Sequence, residues 1–414
     1  MKALVLAGSP SQMVLLNQLK SRGIYTILAD NNVNAVARPY ADEFVKVNLL
    51  DVDAVKQVAE SLKVDFLITV CADQVLITVA KVSEMLGLPC YLDVQTACDV
   101  SDKSHMKDIF HRFDIPSSKH VFMETLDMGR IVDMQYPLVV KPADAYSSKG
   151  VRKATNEQEL REFFADAARI SRSGVVIVEE FVEGAELTVD FQVIDGKAFL
   201  ISASNTEKVD YKDRFLAFRT FYPAVVSVET LDRIRVIGQK IADAFQLKNT
   251  PVLVQLLTND ERESVLEFCA RTGGGAKYLL IKNCTGFDPI DAVTRLTLGE
   301  QVDLNGVGQK VGCYVNEFLY AHNGVFDHLE GFEELKEQGI LMDYWQFKAA
   351  GAPISNAVTS SDRVASISIC ADTYDELVHK HNLAANRIRI IDQDGNDMMR
   401  HDLLVPIRDL SLRK

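Results

Sequence analysis

Apolar positions along this chain recur with two alternating periods. Residues 2–7 (KALVLA) form a short apolar run that ends at Gly8, and helical spacing follows through Leu19. Similar runs return at 25–30 and 65–70, with a helical pattern over 52–62 between them. Strands and helices alternating at this interval predict a doubly wound parallel sheet. Ser101 or Asp102 caps a helix reaching about 113, ended by Ile115-Pro116. Short strands are predicted at 138–140, 175–178 and 187–189. Residues 205–226 are polar without a clear period, so they are expected to be irregular up to Pro223 and to lie over the site. An amphipathic helix follows at 231–245.

The next stretch is the most informative. Residues 252–257 are apolar apart from Gln255, and 264–270 alternate in period two after a charged turn. Alternation puts Glu267, Cys269 and Arg271 on one face, and Leu266, Phe268 and Ala270 on the other. Beyond it come a helix from 288 to 298, strands at 312–321, 366–371 and 388–391, and helices near 331–339 and 373–386. Asn323-Gly324 and Asp394-Gly395 are expected hairpin turns.

A length of 414 residues implies two to three domains. No apolar run has the length of a membrane span, and the first residues turn polar too soon for a signal peptide. Seven cysteines lie scattered without a CxxC pair, which fits a reducing cytoplasm and gives no zinc pattern. The formal net charge of −13, with no basic cluster, argues against a general nucleic-acid binder.

A carboxylate, an amide and a guanidinium on one inner sheet face cost desolvation unless they bind something charged. Gln255 and Glu267 suit a divalent cation holding phosphate oxygens, and Arg271 suits an anion beside it. Lys141 stands at a strand exit before a small polar loop, Ser147 and Ser148 to Gly150, that can close over phosphates. By contrast the first turn reads Gly-Ser-Pro-Ser-Gln and lacks the glycines of a dinucleotide site. Gly8 and Asp30 are therefore read as turn and strand-end residues.

These motifs together resemble the ATP-grasp ligases, on Gln255, Glu267, Cys269 and Arg271, on VVIVEEFVEGAELTVD at 175–190, on the Asp102-Lys103 pair and on Lys141 with its loop. The resemblance implies an α/β ATP-grasp fold with an N-terminal Rossmann-like (pre-ATP-grasp) domain over 1–100. It further implies an ATP-grasp domain over 101–300, its lid at about 115–185, and a C-terminal α+β subdomain over 301–414. Loops 9–12 and 71–74 would then face the substrate cleft. The resemblance also gives roles: Lys103, Lys141, Ser147, Ser148 and Gly150 on phosphates; Glu179, Phe181 and Val182 at the adenine; Glu186 at the ribose. Gln255, Glu267 and Cys269 would occupy the metal positions, and Arg271 with Lys141 the reacting centre. Cys269 stands where the family has Asn, and sulfur is a poor magnesium ligand. Lys208, Lys212, Arg214 and Arg219 are further candidates for anion contact.

The implied protein is a cytoplasmic ligase using ATP with Mg2+ or Mn2+ to join a small carboxylate to an amine, with ADP and phosphate released. Neither nucleic acid nor membrane is expected as a partner, and a homodimer is the assembly to look for. Three alternatives compete: a carbamoyl-phosphate synthase-like enzyme activating bicarbonate, a nucleotide-binding regulator with a degraded metal site, and an NAD(P)-linked oxidoreductase resting only on the first βαβ unit.

Overall fold

The computed structural model describes residues 1–145, 149–211, 214–308, 310, 312–355 and 359–407. Ser147, Ser148 and Lys212 lie outside the described residues.

The chain begins with a parallel four-stranded sheet, in the order Glu43–Lys46, Tyr25–Asp30, Lys2–Leu6, Phe66–Ile68. Its strands are apolar at nearly every position because helices cover both faces. Ala3 and Val5 pack against Leu15, Leu16 and Leu19 of helix Pro10–Ser21, while Leu4 and Leu6 pack on the opposite face against Val55, Ala59 and Val79. Ser9 caps the first helix, and Gln12 is buried with its side-chain amide on Val70 O at 2.7 Å. The expected cleft-facing loop at 9–12 therefore turns inward: Gln12 satisfies a buried carbonyl, and Ser11 donates to Gln12 Oε1 at 3.1 Å.

An antiparallel four-stranded sheet follows: His120–Met123, Val176–Glu180, Leu138–Pro142, Arg152–Ala154. Helix Glu157–Ile170 buries Leu160, Phe163, Phe164 and Ala167 against it. Helix Lys103–Arg112 starts at Asp102, whose carboxylate accepts from the Ser104 and His105 amides.

The largest sheet has eight strands: Glu263–Cys269, Thr250–Thr258, Ala185–Ile194, Lys197–Tyr211, Arg214–Tyr222, Cys313–Leu319, Ala365–Ala371, Asp343–Gln346. Two corrections arise here. The stretch 205–226, expected to be irregular, is mostly strand, two long antiparallel segments running to Tyr222. Asn205, Thr206, Glu207 and Lys208 all line a large cavity although they are consecutive, so polar residues stand on both faces of the strand. The expected period is lost for that reason, not for lack of a strand.

The second correction concerns the hairpin. Gln255 stands opposite Glu267, but Leu256 stands opposite Val265, so Leu266 is an extra residue on its strand. Such a bulge re-aims side chains. Leu266 joins Glu267 in lining the cavity rather than facing away from it. Phe268 keeps the expected face, opposite Glu267, and packs against Phe110 and Phe245.

The chain ends with a small sheet, Pro353–Ile354, Gly324–Glu330 and Arg389–Asp392, and helix Tyr374–Arg387. Asp394-Gly395 is a turn, closed by the Asp392 amide on Asn396 O. Asn323-Gly324 is not a hairpin: the strand before it pairs with 365–371 and 214–222, the strand after it with the small sheet.

Candidate active site

A cavity of roughly 950 Å³ opens between the smaller antiparallel sheet and the eight-stranded one. Val139 and Lys141 line it from one side, Gln255 and Glu267 from the other, and Asp73 from the carboxyl edge of the parallel sheet. The predicted Lys103, Lys141, Phe181, Val182, Glu186, Gln255, Glu267 and Arg271 all reach this space. Residues drawn from four separate motifs thus meet in one place.

Lys103 and Lys141 are each found with a carboxylate. Lys103 Nζ lies 3.0 Å from Glu267 and donates to Ala145 O at 3.2 Å. Lys103 above all holds the Glu267 carboxyl below its usual range, against the opposing effect of burial. Lys141 donates to Glu179 at 2.6 Å. Glu179, expected beside an adenine, also lines the cavity. Its carboxylate is 4% exposed and receives Ser118 at 3.0 Å and Lys107 at 3.6 Å as well. Burial would raise its pKa, but Lys141 and then Lys107 overcome it and bring it to about 2. Lys107 itself is 2% exposed; burial pushes it down to about 8 despite Glu179, and it donates to Val265 O at 3.3 Å. A carboxylate so enclosed by cations orients lysines rather than meeting a base.

The pair has a consequence for acid stability. Glu179 has a folded pKa of about 2 against an ordinary 4.5, so its stabilisation is present above 4.5 and is lost as pH falls towards 2. The shift corresponds to a loss of roughly 3 kcal/mol. Urea midpoints measured near pH 6 and near pH 3 should fall further in the wild type than in Glu179→Gln. Equal falls would remove Glu179 from the acid transition.

At the ribose position, Lys208 lies 2.5 Å from one oxygen of Glu186, whose side chain is 8% exposed. The other oxygen, Oε1, is buried with no hydrogen-bond partner. An orphaned acceptor of this kind is costly unless a ligand donates to it. Phe181 stacks on Phe215 at 6.2 Å, with Lys153 over its ring at 4.2 Å. The Phe181 amide is already committed to Pro137 O at 3.0 Å. Gly184 lies against the backbone of Thr258, where a Cβ would come within 2.6 Å of its carbonyl oxygen. Gly150 adopts φ +76°, returning the loop after Lys141 beside Pro142 and Ile170.

Arg271 lies in the cavity, yet its guanidinium is clamped by Asp73, Nε at 2.5 Å and Nη2 at 2.6 Å, with Nη1 on Thr272 O. Burial alone would lower its pKa, but Asp73 holds it well above the usual value. Cys269 faces the same Asp73, and burial holds its thiol far above the ordinary range, so it is neutral. In register it stands opposite Leu253, not Gln255, and it does not line the cavity. Of the other expected anion contacts, Arg219 is 1% exposed and closed off by Glu317 and Glu207. Asp73 belongs to the loop 71–74 expected at the cleft, though without a role of its own, and sequence reasoning missed Lys107 and the Lys277–Asp190 pair at 2.7 Å. Only Lys107 had a visible signal, one helical turn after Lys103 and so on its face.

No group of three or more His, Cys, Asp or Glu side chains is gathered for a metal ion among the described residues. Gln255 and Glu267 still offer two facing oxygen donors, and a cation, the Lys103 ammonium, already rests on Glu267. That donor set fits magnesium, which keeps waters and phosphate oxygens and needs few protein ligands.

Fold and site together define a class: the chain carries an ATP-grasp domain, its residues 134–278 matching the family model of that domain. Over 304 residues, 72% of its length, it is 23% identical to the carbamoyl phosphate synthase large chain of Clostridium botulinum, covering 28% of that protein. The L-amino acid ligase of Bacillus licheniformis superposes with a TM-score of 0.79 at 21% identity, over 95% of this chain and 98% of that one. The biotin carboxylase domain of Hydrogenobacter thermophilus 2-oxoglutarate carboxylase, solved with MgADP, gives 0.79 at 14% identity, over 99% and 94%. The chain spans between 11% and 28% of the length of the carbamoyl-phosphate synthases it matches. No helix among the described residues is long and apolar enough to cross a membrane.

Proposed function

We propose that the protein is an ATP-dependent carboxylate–amine ligase that forms an amide through an acyl phosphate and releases ADP and phosphate. The observation that carries this reading is the convergence of Lys103, Lys141, Gln255, Glu267 and the orphaned Glu186 oxygen in one cavity. Adenosine would sit along 179–186, its ribose hydroxyls donating to Glu186 Oε1 and its base against Val182 and Leu266. Lys141 and Lys103 would turn from their carboxylates to phosphate oxygens, neutralising the charge that spreads in phosphoryl transfer. Gln255 and Glu267 would hold magnesium, which supplies charge neutralisation between phosphate oxygens. A substrate carboxylate oxygen bonds to the γ-phosphorus as the bond to ADP breaks. The amine then bonds to the acyl carbon, phosphate leaves, and the ammonium proton passes to solvent.

Hydroxylamine tests this directly, because it traps an acyl phosphate as a hydroxamate. Incubation with ATP, magnesium and a panel of small carboxylates should give hydroxamate together with ADP. The matches to carbamoyl phosphate synthases favour a second reading, activation of bicarbonate, which predicts ADP formation dependent on bicarbonate alone. ATP binding with no ADP from any of these would point to a regulator.

Cys269 supplies no oxygen donor, so the magnesium requirement should be raised. Cys269→Asn is expected to lower the free magnesium for half-maximal rate, since an amide oxygen is a harder ligand than a thiol. An unchanged magnesium curve would mean that the thiol only packs against Asp73.

A further inference from the structure

Resting on the ligase reading, we propose that Arg363, not Arg271, receives the anionic group of a substrate, so that one of the joined molecules carries a carboxylate or phosphate which is not the group activated. The cations lining the cavity are nearly all spoken for. Lys103 has Glu267, Lys141 has Glu179, Lys208 has Glu186, Lys277 has Asp190, and Arg271 is held by Asp73 through two nitrogens. Lys149 is exposed. Arg363 differs from all of these. It lines the cavity, is half-buried, and has no carboxylate within ion-pairing distance among the described residues.

What Arg363 does have fixes its position without neutralising it. Its guanidinium carbon lies 3.5 Å from the centre of the Phe318 ring, and its Nε lies 3.3 Å from the Tyr320 hydroxyl. Stacking on an aromatic face holds the planar fork and leaves its outer nitrogens for a bidentate anion. Tyr320 is itself anchored, donating to Ala217 O at 2.7 Å. The stretch 273–275 connects this subsite to the rest of the site. A Cβ on Gly275 would lie 3.1 Å from Phe318 and 3.6 Å from Arg363 Nη1, while a Cβ on Gly273 would lie 3.2 Å from Asp190 Oδ1. Glycine at both positions lets the backbone approach these groups where a side chain would not fit. Phe318, which lines the cavity, puts an apolar ring directly against the Arg363 guanidinium. Carboxylate and phosphate share the chemistry that a guanidinium fork recognises.

Phenylglyoxal labelling, mapped by mass spectrometry, reads this without requiring turnover. Arg363 should be labelled in the wild type, whereas Arg271 and Arg219, closed by carboxylates, should resist. L-alanine and L-phenylalanine, or O-phosphoethanolamine, should slow labelling at Arg363, and alaninamide, phenylalaninamide and ethanolamine should not. Protection by the acids alone identifies a carboxylate, and protection by the phosphate ester alone identifies a phosphate. Protection by neither set, or by both charged and uncharged members equally, overturns the proposal. In ADP release, Arg363→Gln should raise KM for the anionic substrate about ten- to hundredfold and leave KM for ATP in place, with Arg363→Lys recovering part of the loss. A wild-type KM in Arg363→Gln would also overturn it. Protection at Arg363 without any ADP release would instead sink the ligase reading and keep the anion subsite.

Discussion

Glu267→Gln is expected to lower ADP formation on the order of a thousandfold at every magnesium concentration. The substitution keeps the side chain's shape and removes only its charge. Glu267 is the one carboxylate on the metal-facing pair, and Gln255 opposite it is neutral. The Lys103 ammonium at 3.0 Å loses its partner too, so a cation is left without compensation in the cavity. ATP affinity measured without metal should not fall, because removing a negative charge from beside a polyphosphate relieves repulsion. This separates lost metal chemistry from lost folding. Turnover within tenfold of the wild type would rule out Glu267 as the metal-bearing carboxylate.

Lys141→Met should weaken ATP binding and reduce turnover by about two to three orders of magnitude. It should also destabilise the fold, since Glu179 keeps only Lys107 and Ser118 as partners. Removing one member of a buried pair costs up to about 3–5 kcal/mol, and the remaining partners reduce that. The two effects can be separated by a double variant. Lys141→Met with Glu179→Gln removes the uncompensated charge and should recover stability, while ATP use stays lost. Recovery of ATP use in the double variant would mean that Lys141 only supports Glu179.

The hairpin was readable because its chemistry is local. Gln255 and Glu267 lie twelve residues apart across one turn, and alternation alone puts Glu267 and Arg271 on one face. Three strands of the parallel sheet were readable because they are largely buried and apolar, whereas the half-exposed edge strand Glu43–Lys46 was not. The two long strands ending at Tyr222 were not, because a strand facing a polar cavity loses the alternation by which strands are recognised. Leu266 was misplaced by a single extra residue, which inverts the faces on one side of it.

The sequence by itself determined the ATP-grasp fold class, the order of its motifs, and which charged and polar residue types they carry. Only the tertiary structure decided which of those charges are free to act. Asp73 and Arg271 stand 198 residues apart, Lys141 and Glu179 38, and Arg219 and Glu317 98. Pairing across such separations depends on how separate sheets meet, and no periodicity records it. Charge type is a property of the residue; its availability for a ligand is set by the counter-charge that folding places beside it.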